Sequence, residues 1–106
     1  MIGIDMVHIP TFIEQLELGG EVFLARTFQA EEMKNSKPEH LAGLWAAKEA
    51  VMKATGLKIN EFLKIVIHHQ KNGQPIARVG TQEIAISITH HGDYAVAVAF
   101  LGSQMA

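Results

Sequence analysis

Ser36-Lys37-Pro38-Glu39-His40-Leu41-Ala42-Gly43-Leu44-Trp45-Ala46-Ala47-Lys48-Glu49-Ala50-Val51-Met52-Lys53-Ala54-Thr55-Gly56 is the stretch on which the fold turns. It opens with a capping residue, Ser36, a proline close behind it and a glutamate three places on, the pattern of a helix start. Strong helix formers then run to Ala54, and Gly56 stands where a left-handed residue ends a helix. The spacing predicts one long helix of about five turns. What flanks it differs in kind on the two sides.

Upstream, Ile2 to Ile9 alternates, with Ile2, Ile4 and Met6 on one face and Gly3, Asp5 and Val7 on the other, which predicts a strand. Pro10 opens a helix through about Leu18, stopped by Gly19-Gly20, and a short helical stretch follows from Gly20 to Ala25. Thr27 then caps a short helix at Ala30-Glu31-Glu32-Met33, its acidic residues near the positive end. Downstream, Leu63–His69 and Ile76–Val79 flank Lys71-Asn72-Gly73-Gln74, whose Asn-Gly is a strong hairpin signal. Glu83–Thr89 and Tyr94–Leu101 flank a second hairpin turn, His90-His91-Gly92-Asp93. One strand, several helices and then an antiparallel β-meander make an α+β fold.

The chain of 106 residues has room for one domain, 1–106, and not for two. With 48% hydrophobic residues it reads as a folded globular domain. A formal charge of −2 and the lack of a basic run argue against nucleic acid and membrane surfaces as partners. There is no cysteine, so the fold depends on no disulfide and thiolate metal sites are excluded. Neither a signal-peptide pattern nor an apolar run of membrane-spanning length is visible, and the expected location is the cytoplasm. A domain this small buries only about 60–65% of its unfolded surface, which agrees with an oligomer.

Trp45, Glu49 and Lys53 recur every four residues and so share one helix face. Glu49 and Lys53 are either an exposed ion pair or a metal-binding carboxylate beside a cation placed for phosphate. Asp5, inside an apolar strand, is either an edge or turn residue or, if it faces the helix, the second carboxylate of an oxygen site suited to Mg²⁺. The six histidines include two adjacent pairs, His68-His69 and His90-His91. A zinc site from His8, His68 and His90 lacks the usual ligand spacing, so surface or turn histidines and single phosphate contacts are the plainer reading. Ser87 lacks the G-x-S-x-G setting of a hydrolase nucleophile, and no Walker or G-x-G-x-x-G loop is present.

Three segments together resemble the holo-acyl-carrier-protein synthase family, the AcpS-type 4'-phosphopantetheinyl transferases. Gly3-Ile4-Asp5-Met6-Val7 is similar to its first strand, G-[IT]-D-[ILMV]-V. Trp45-Ala46-Ala47-Lys48-Glu49-Ala50-Val51-Met52-Lys53-Ala54 is similar to its W/F-A-x-K-E-A-x-x-K-A helix. Ser87-Ile88-Thr89-His90 with Asp93-Tyr94-Ala95-Val96-Ala97 is similar to its S-[IL]-[ST]-H…Y-A-x-A ending, and Asn72-Gly73-Gln74-Pro75 to its N-G-[KR]-P turn. The matches fall in order across nearly the whole chain.

The resemblance implies transfer of phosphopantetheine from coenzyme A to a serine of an acyl carrier protein, with release of 3',5'-ADP. It implies that Asp5 and Glu49 hold Mg²⁺, with Mn²⁺ an alternative, against the pyrophosphate. Glu49 helps deprotonate the serine, directly or through a metal-held water, and Lys53 neutralises or protonates the leaving group. His90 contacts a coenzyme A phosphate, Asn72 and Pro75 lie near the nucleotide, and Gly56 belongs to a coenzyme-binding loop. The resemblance also implies a homotrimer with its site between subunits. Three positions and one loop depart from the pattern: Leu44 replaces an arginine, Thr11 a basic residue that meets the acidic carrier, and His8 a frequent glutamate. Thr55-Gly56-Leu57-Lys58 replaces a loop with two glycines, where Lys58 substitutes electrostatically. The competing readings are a non-catalytic relative that binds coenzyme A or a carrier, and a metal-binding trimer built on the histidines.

Overall fold

The computed structural model describes residues 1–102; the end of the expected domain, 103–106, lies outside the described residues. β1 (Ile2–His8) leads directly into α1 (Ile9–Thr27), and a 3₁₀ turn (Ala30–Lys34) precedes α2 (Pro38–Thr55). A second 3₁₀ segment (Ile59–Lys64) leads to β2 (Ile65–His69), β3 (Pro75–Val79), β4 (Gln82–His91) and β5 (Tyr94–Phe100). The strands form one antiparallel sheet in the order β1-β5-β4-β3-β2, so the first strand closes onto the last. The α+β expectation and the terminal meander hold.

Local chemistry moves several boundaries. The expected break at Gly19-Gly20 is present inside α1. Gly20 alone leaves helical geometry (φ 52°, ψ −139°) and the helix resumes through Thr27. Thr27 caps nothing: its hydroxyl donates back to the Phe23 carbonyl, and Gln29 and Glu32 form the capping box of the 3₁₀ turn instead. Lys37, not Ser36, precedes the first turn of α2, with Pro38 at its start. Gly56 ends α2 as expected, in the left-handed region at φ 81°. Leu63 and Lys64 lie in the unexpected second 3₁₀ segment, and the last hairpin turns on Gly92-Asp93 alone because β4 continues through both His90 and His91.

α2 lies across one face of the sheet. Gly3, Val7, Ala95, Ala97, Ala99, Ala77 and Ile84 are buried against Ala46, Ala47, Ala50 and Ala54 or their neighbours. The small side chains on β1 and β5 let the helix come close. A Cβ on Gly3 would fall 1.8 Å from the Ala50 carbonyl oxygen. The opposite face is bare: Ile2, Ile4 and Met6 are 68%, 58% and 64% exposed, and the register sets them beside Phe100, Val98 and Val96. The apolar row of β1 therefore points outward, and its row of Gly3, Asp5 and Val7 meets the helix.

Candidate active site

The close approach at Gly3 carries Asp5, two residues on, against α2. Lys53 reaches from the helix to this strand, its Nζ donating to the Ile4 carbonyl at 2.9 Å and to Asp5 Oδ1 at 3.2 Å. Asp5 is 13% exposed and Lys53 53%. Lys53 thus pairs across β1 with Asp5, and the within-helix ion pair read from its spacing to Glu49 gives way to this contact. Glu49 is half-buried one turn earlier. Burial pushes its carboxyl above the usual range, the nearby Asp5 adds to the shift, and the Trp45 indole and Lys53 oppose it. Two carboxylates, one amine and an indole N–H therefore meet where α2 crosses β1.

Trp45 is held by rings on three sides: Phe23 at 4.9 Å, Phe62 at 5.2 Å and Phe12 at 5.7 Å between centroids. The donor set at Asp5 and Glu49 is all oxygen. Among the described residues no group of three or more His, Cys, Asp or Glu side chains is placed to hold a metal ion.

The remaining expected site residues lie elsewhere on the chain. His90, on the helix-facing side of β4, donates from Nε2 to the Glu39 carbonyl at 2.9 Å. It rests over Gly43, about 9 Å of helix rise before Glu49. Pro75 lines the same cavity as His90. Asn72 folds onto its own turn, accepting from the Gln74 backbone N–H at 3.0 Å. Gly56 is on the other side, about 10 Å of rise beyond Glu49. One chain gathers Asp5, Glu49 and Lys53, and sets His90, Pro75 and Asn72 apart from Gly56. His8, His68 and His90 do not converge: His8 bonds to the Thr11 hydroxyl at 2.7 Å, and His68 lies 3.5 Å from Glu31. Ser87 pairs with Val98 on the outer face, away from His90.

The model of the 4'-phosphopantetheinyl transferase superfamily matches residues 1–99. The chain belongs to this superfamily. It is 36% identical to a holo-[acyl-carrier-protein] synthase of Campylobacter curvus, over 95% of this chain and 99% of that one. It is 40% identical to the enzyme of that name from Mycobacterium ulcerans, over 94% of each. The crystal structure of Helicobacter pylori holo-[acyl-carrier-protein] synthase in complex with coenzyme A superposes with a TM-score of 0.87, at 29% identity over 96% of this chain and all of that one.

Lys48, within the transferase signature, is the residue that sequence reasoning passed over. It is fully buried, and its Nζ donates to Glu32 Oε1 and the Thr27 carbonyl at 2.7 Å and to the Phe62 carbonyl at 3.2 Å. Glu32, expected only to favour a helix end, also accepts from the Gln29 and Ile67 backbone N–H groups. This network ties α2 to α1, both 3₁₀ segments and β2, and so sets the rotation that aims Glu49 and Lys53 at β1. An ammonium that is buried and tethered cannot follow a substrate. The sequence signals were its match to the lysine of the helix signature and its place amid alanines.

Proposed function

We propose that this protein is a holo-acyl-carrier-protein synthase, one domain over 1–106 that transfers 4'-phosphopantetheine from coenzyme A to a serine hydroxyl of an acyl carrier protein. The observation that carries the reading is the meeting of Asp5, Glu49 and Lys53 at one point of this fold. In the reaction Glu49 takes the proton of the serine hydroxyl. The serine oxygen bonds to the β-phosphorus, the bridging P–O bond breaks, and 3',5'-ADP departs with its charge met by Lys53. Lys53 is exposed enough to swing from Asp5 to a phosphate oxygen without uncovering a buried group.

Asp5 and Glu49 suit Mg²⁺, or Mn²⁺, which binds through one or two carboxylates together with substrate phosphates. Burial first and the neighbouring Asp5 second raise the Glu49 carboxyl, and a cation between the two carboxylates would favour its charged form. When bound, the ion neutralises the pyrophosphate. His90 and Pro75 take the nucleotide end, with Asn72 shaping the turn and Gly56 the loop beyond α2. Their spread along α2 fits a site completed by a neighbouring copy, and the bare apolar sheet face fits its burial in a homotrimer. No helix among the described residues is long and apolar enough to cross a membrane, which agrees with work in the cytoplasm beside the carrier protein.

The deciding experiment is mass spectrometry of an apo acyl carrier protein incubated with this protein, coenzyme A and Mg²⁺. A gain of about 340 Da, one phosphopantetheine group, is expected, and it is lost with EDTA and with Glu49→Gln. Coenzyme A binding without transfer to any of several carriers points instead to a diverged binding module.

A further inference from the structure

We infer that Glu32 and Lys48 are positioning residues for the transfer: their buried pair holds α2 at the rotation where Asp5 and Glu49 can share one small cation. The inference rests on the transferase reading above and deepens it. Lys48 and Glu49 are consecutive, so about 100° of helix rotation separates them, and fixing one direction fixes the other. The Lys48 ammonium is gripped by three segments. It donates to the Thr27 carbonyl at the end of α1 and to Glu32 in the first 3₁₀ turn, both at 2.7 Å, and to the Phe62 carbonyl in the second 3₁₀ segment at 3.2 Å. That uses all of its hydrogens. Glu32 is held as firmly, accepting from the Gln29 N–H at 2.8 Å and the Ile67 N–H at 2.9 Å. Both side chains are shut off from solvent, so neither can reach a substrate.

As a source of stability alone, an ion pair at this depth is a poor choice. Burial works against the Lys48 charge, and apolar residues of like volume would fill the space without desolvating two ions. What an apolar filling lacks is direction. The buried side of α2 that meets the sheet is built largely of small residues, Ala46, Ala47, Ala50 and Ala54, and across from them lie Gly3 and Ala97. Such smooth surfaces slide and turn past one another with few clashes, whereas hydrogen bonds to three separate segments resist both motions. Trp45 adds no independent lock, since Phe23 and Phe62, on which its ring packs, belong to two of those same segments.

The rotation matters because Asp5 belongs to β1 and Glu49 to α2, so the separation of their carboxylates changes with any turn of the helix against the strand. Mg²⁺ requires near-ideal octahedral ligands at about 2.0–2.1 Å, whereas Ca²⁺ accepts irregular sets at about 2.3–2.6 Å. Release of the buried pair should therefore weaken Mg²⁺ much more than Ca²⁺. It should also misplace the Glu49 carboxylate that meets the serine hydroxyl. A fold that is merely less stable would weaken both ions alike.

Isothermal titration of coenzyme A in EDTA, in Mg²⁺ and in Ca²⁺ tests this, alongside turnover per folded molecule with the folded fraction taken from circular dichroism. Glu32→Gln keeps the shape of the side chain, and Lys48→Met removes the ammonium outright. In both, the gain in coenzyme A affinity given by Mg²⁺ should fall about tenfold, while the gain given by Ca²⁺ stays within about twofold. Turnover per folded molecule should fall about 10²-fold. Ile84→Ala, which hollows the core at β4 and leaves the pair intact, should lose stability yet keep the parent's metal preference and turnover. The inference is overturned by a Glu32→Gln protein that matches the parent in both, or by an Ile84→Ala protein that changes as much as the pair variants do. A parent that transfers no phosphopantetheine overturns the transferase reading and the inference together.

Discussion

α2 carries two lysines five residues apart, each paired with a carboxylate from outside the helix, and the two pairs behave differently. Lys48 is sealed in: its three donors go to Glu32 and two carbonyls, and both Glu32 oxygens are in turn engaged. Burial pushes its ammonium below the usual lysine range while Glu32 pulls it back, and the Phe28 ring lies 5.3 Å from Nζ. Lys53 holds the mostly covered Asp5 at 3.2 Å from a half-exposed position of its own. A saturated buried pair fixes geometry, since every change in it orphans several groups. A half-exposed pair gives up little when a phosphate or metal ion takes over one partner. The same residue types on the same helix thus divide into a sealed pair and one that solvent can reach.

The largest effect expected from breaking this division is at the buried pair. Lys48→Met should lower stability by about 3–5 kcal/mol in denaturant unfolding, because Glu32 is left charged and buried. Adding Glu32→Leu should recover only part of it, since the Gln29 and Ile67 N–H groups then lose their acceptor. Lys53→Ala should do the reverse, changing stability by less than about 1 kcal/mol. Its cost should appear in turnover, with kcat falling about 10²- to 10³-fold and coenzyme A affinity falling much less. A loss confined to affinity would make Lys53 a binding residue only.

Gly3→Ala probes the seam that joins the two pairs. Its methyl group would meet the Ala50 carbonyl, so β1 and α2 must part, at a cost of about 1–3 kcal/mol. Activity should fall further than stability, because Asp5 moves away from Glu49. The smallest change expected is the stability of Glu49→Gln, measured in EDTA. Glu49 has a folded-state pKa above its unfolded value, so the native state holds the proton more tightly. Stability from this group is therefore present at low pH and lost as pH rises from the ordinary carboxyl value through the raised one. Glu49→Gln should melt slightly higher than the parent at pH 7 and indistinguishably at pH 4. An equal gain at both would mean the charge is not the cause.

Much of the architecture was legible because it is local. Pro38, the alanine-rich run and Gly56 define α2, and Asn72-Gly73 and Gly92-Asp93 mark the hairpins. Errors fell where a local signal had a tertiary competitor. The helical stretch after the Gly19-Gly20 break runs past Ala25 to Thr27, whose hydroxyl bonds back to the Phe23 carbonyl instead of capping the next turn. Leu63 looks like the start of a strand, yet the 3₁₀ segment before β2 buries Phe62 and offers its carbonyl to Lys48.

The candidate site shows the same division. Spacing alone put Trp45, Glu49 and Lys53 on one face, because helical period is a property of the backbone. That Asp5 faces them was open in the sequence, since alternation tells which residues of a strand share a side and not which side is covered. By hydrophobicity the row of Ile2, Ile4 and Met6 is the natural one to bury. The fold buries the other row because only glycine and alanines let α2 come near enough, and that contact is made between residues nearly fifty positions apart. Sequence determined the elements and their chemical stock; which groups meet was decided by long-range packing, where Cβ atoms at the β1–α2 seam are excluded by volume.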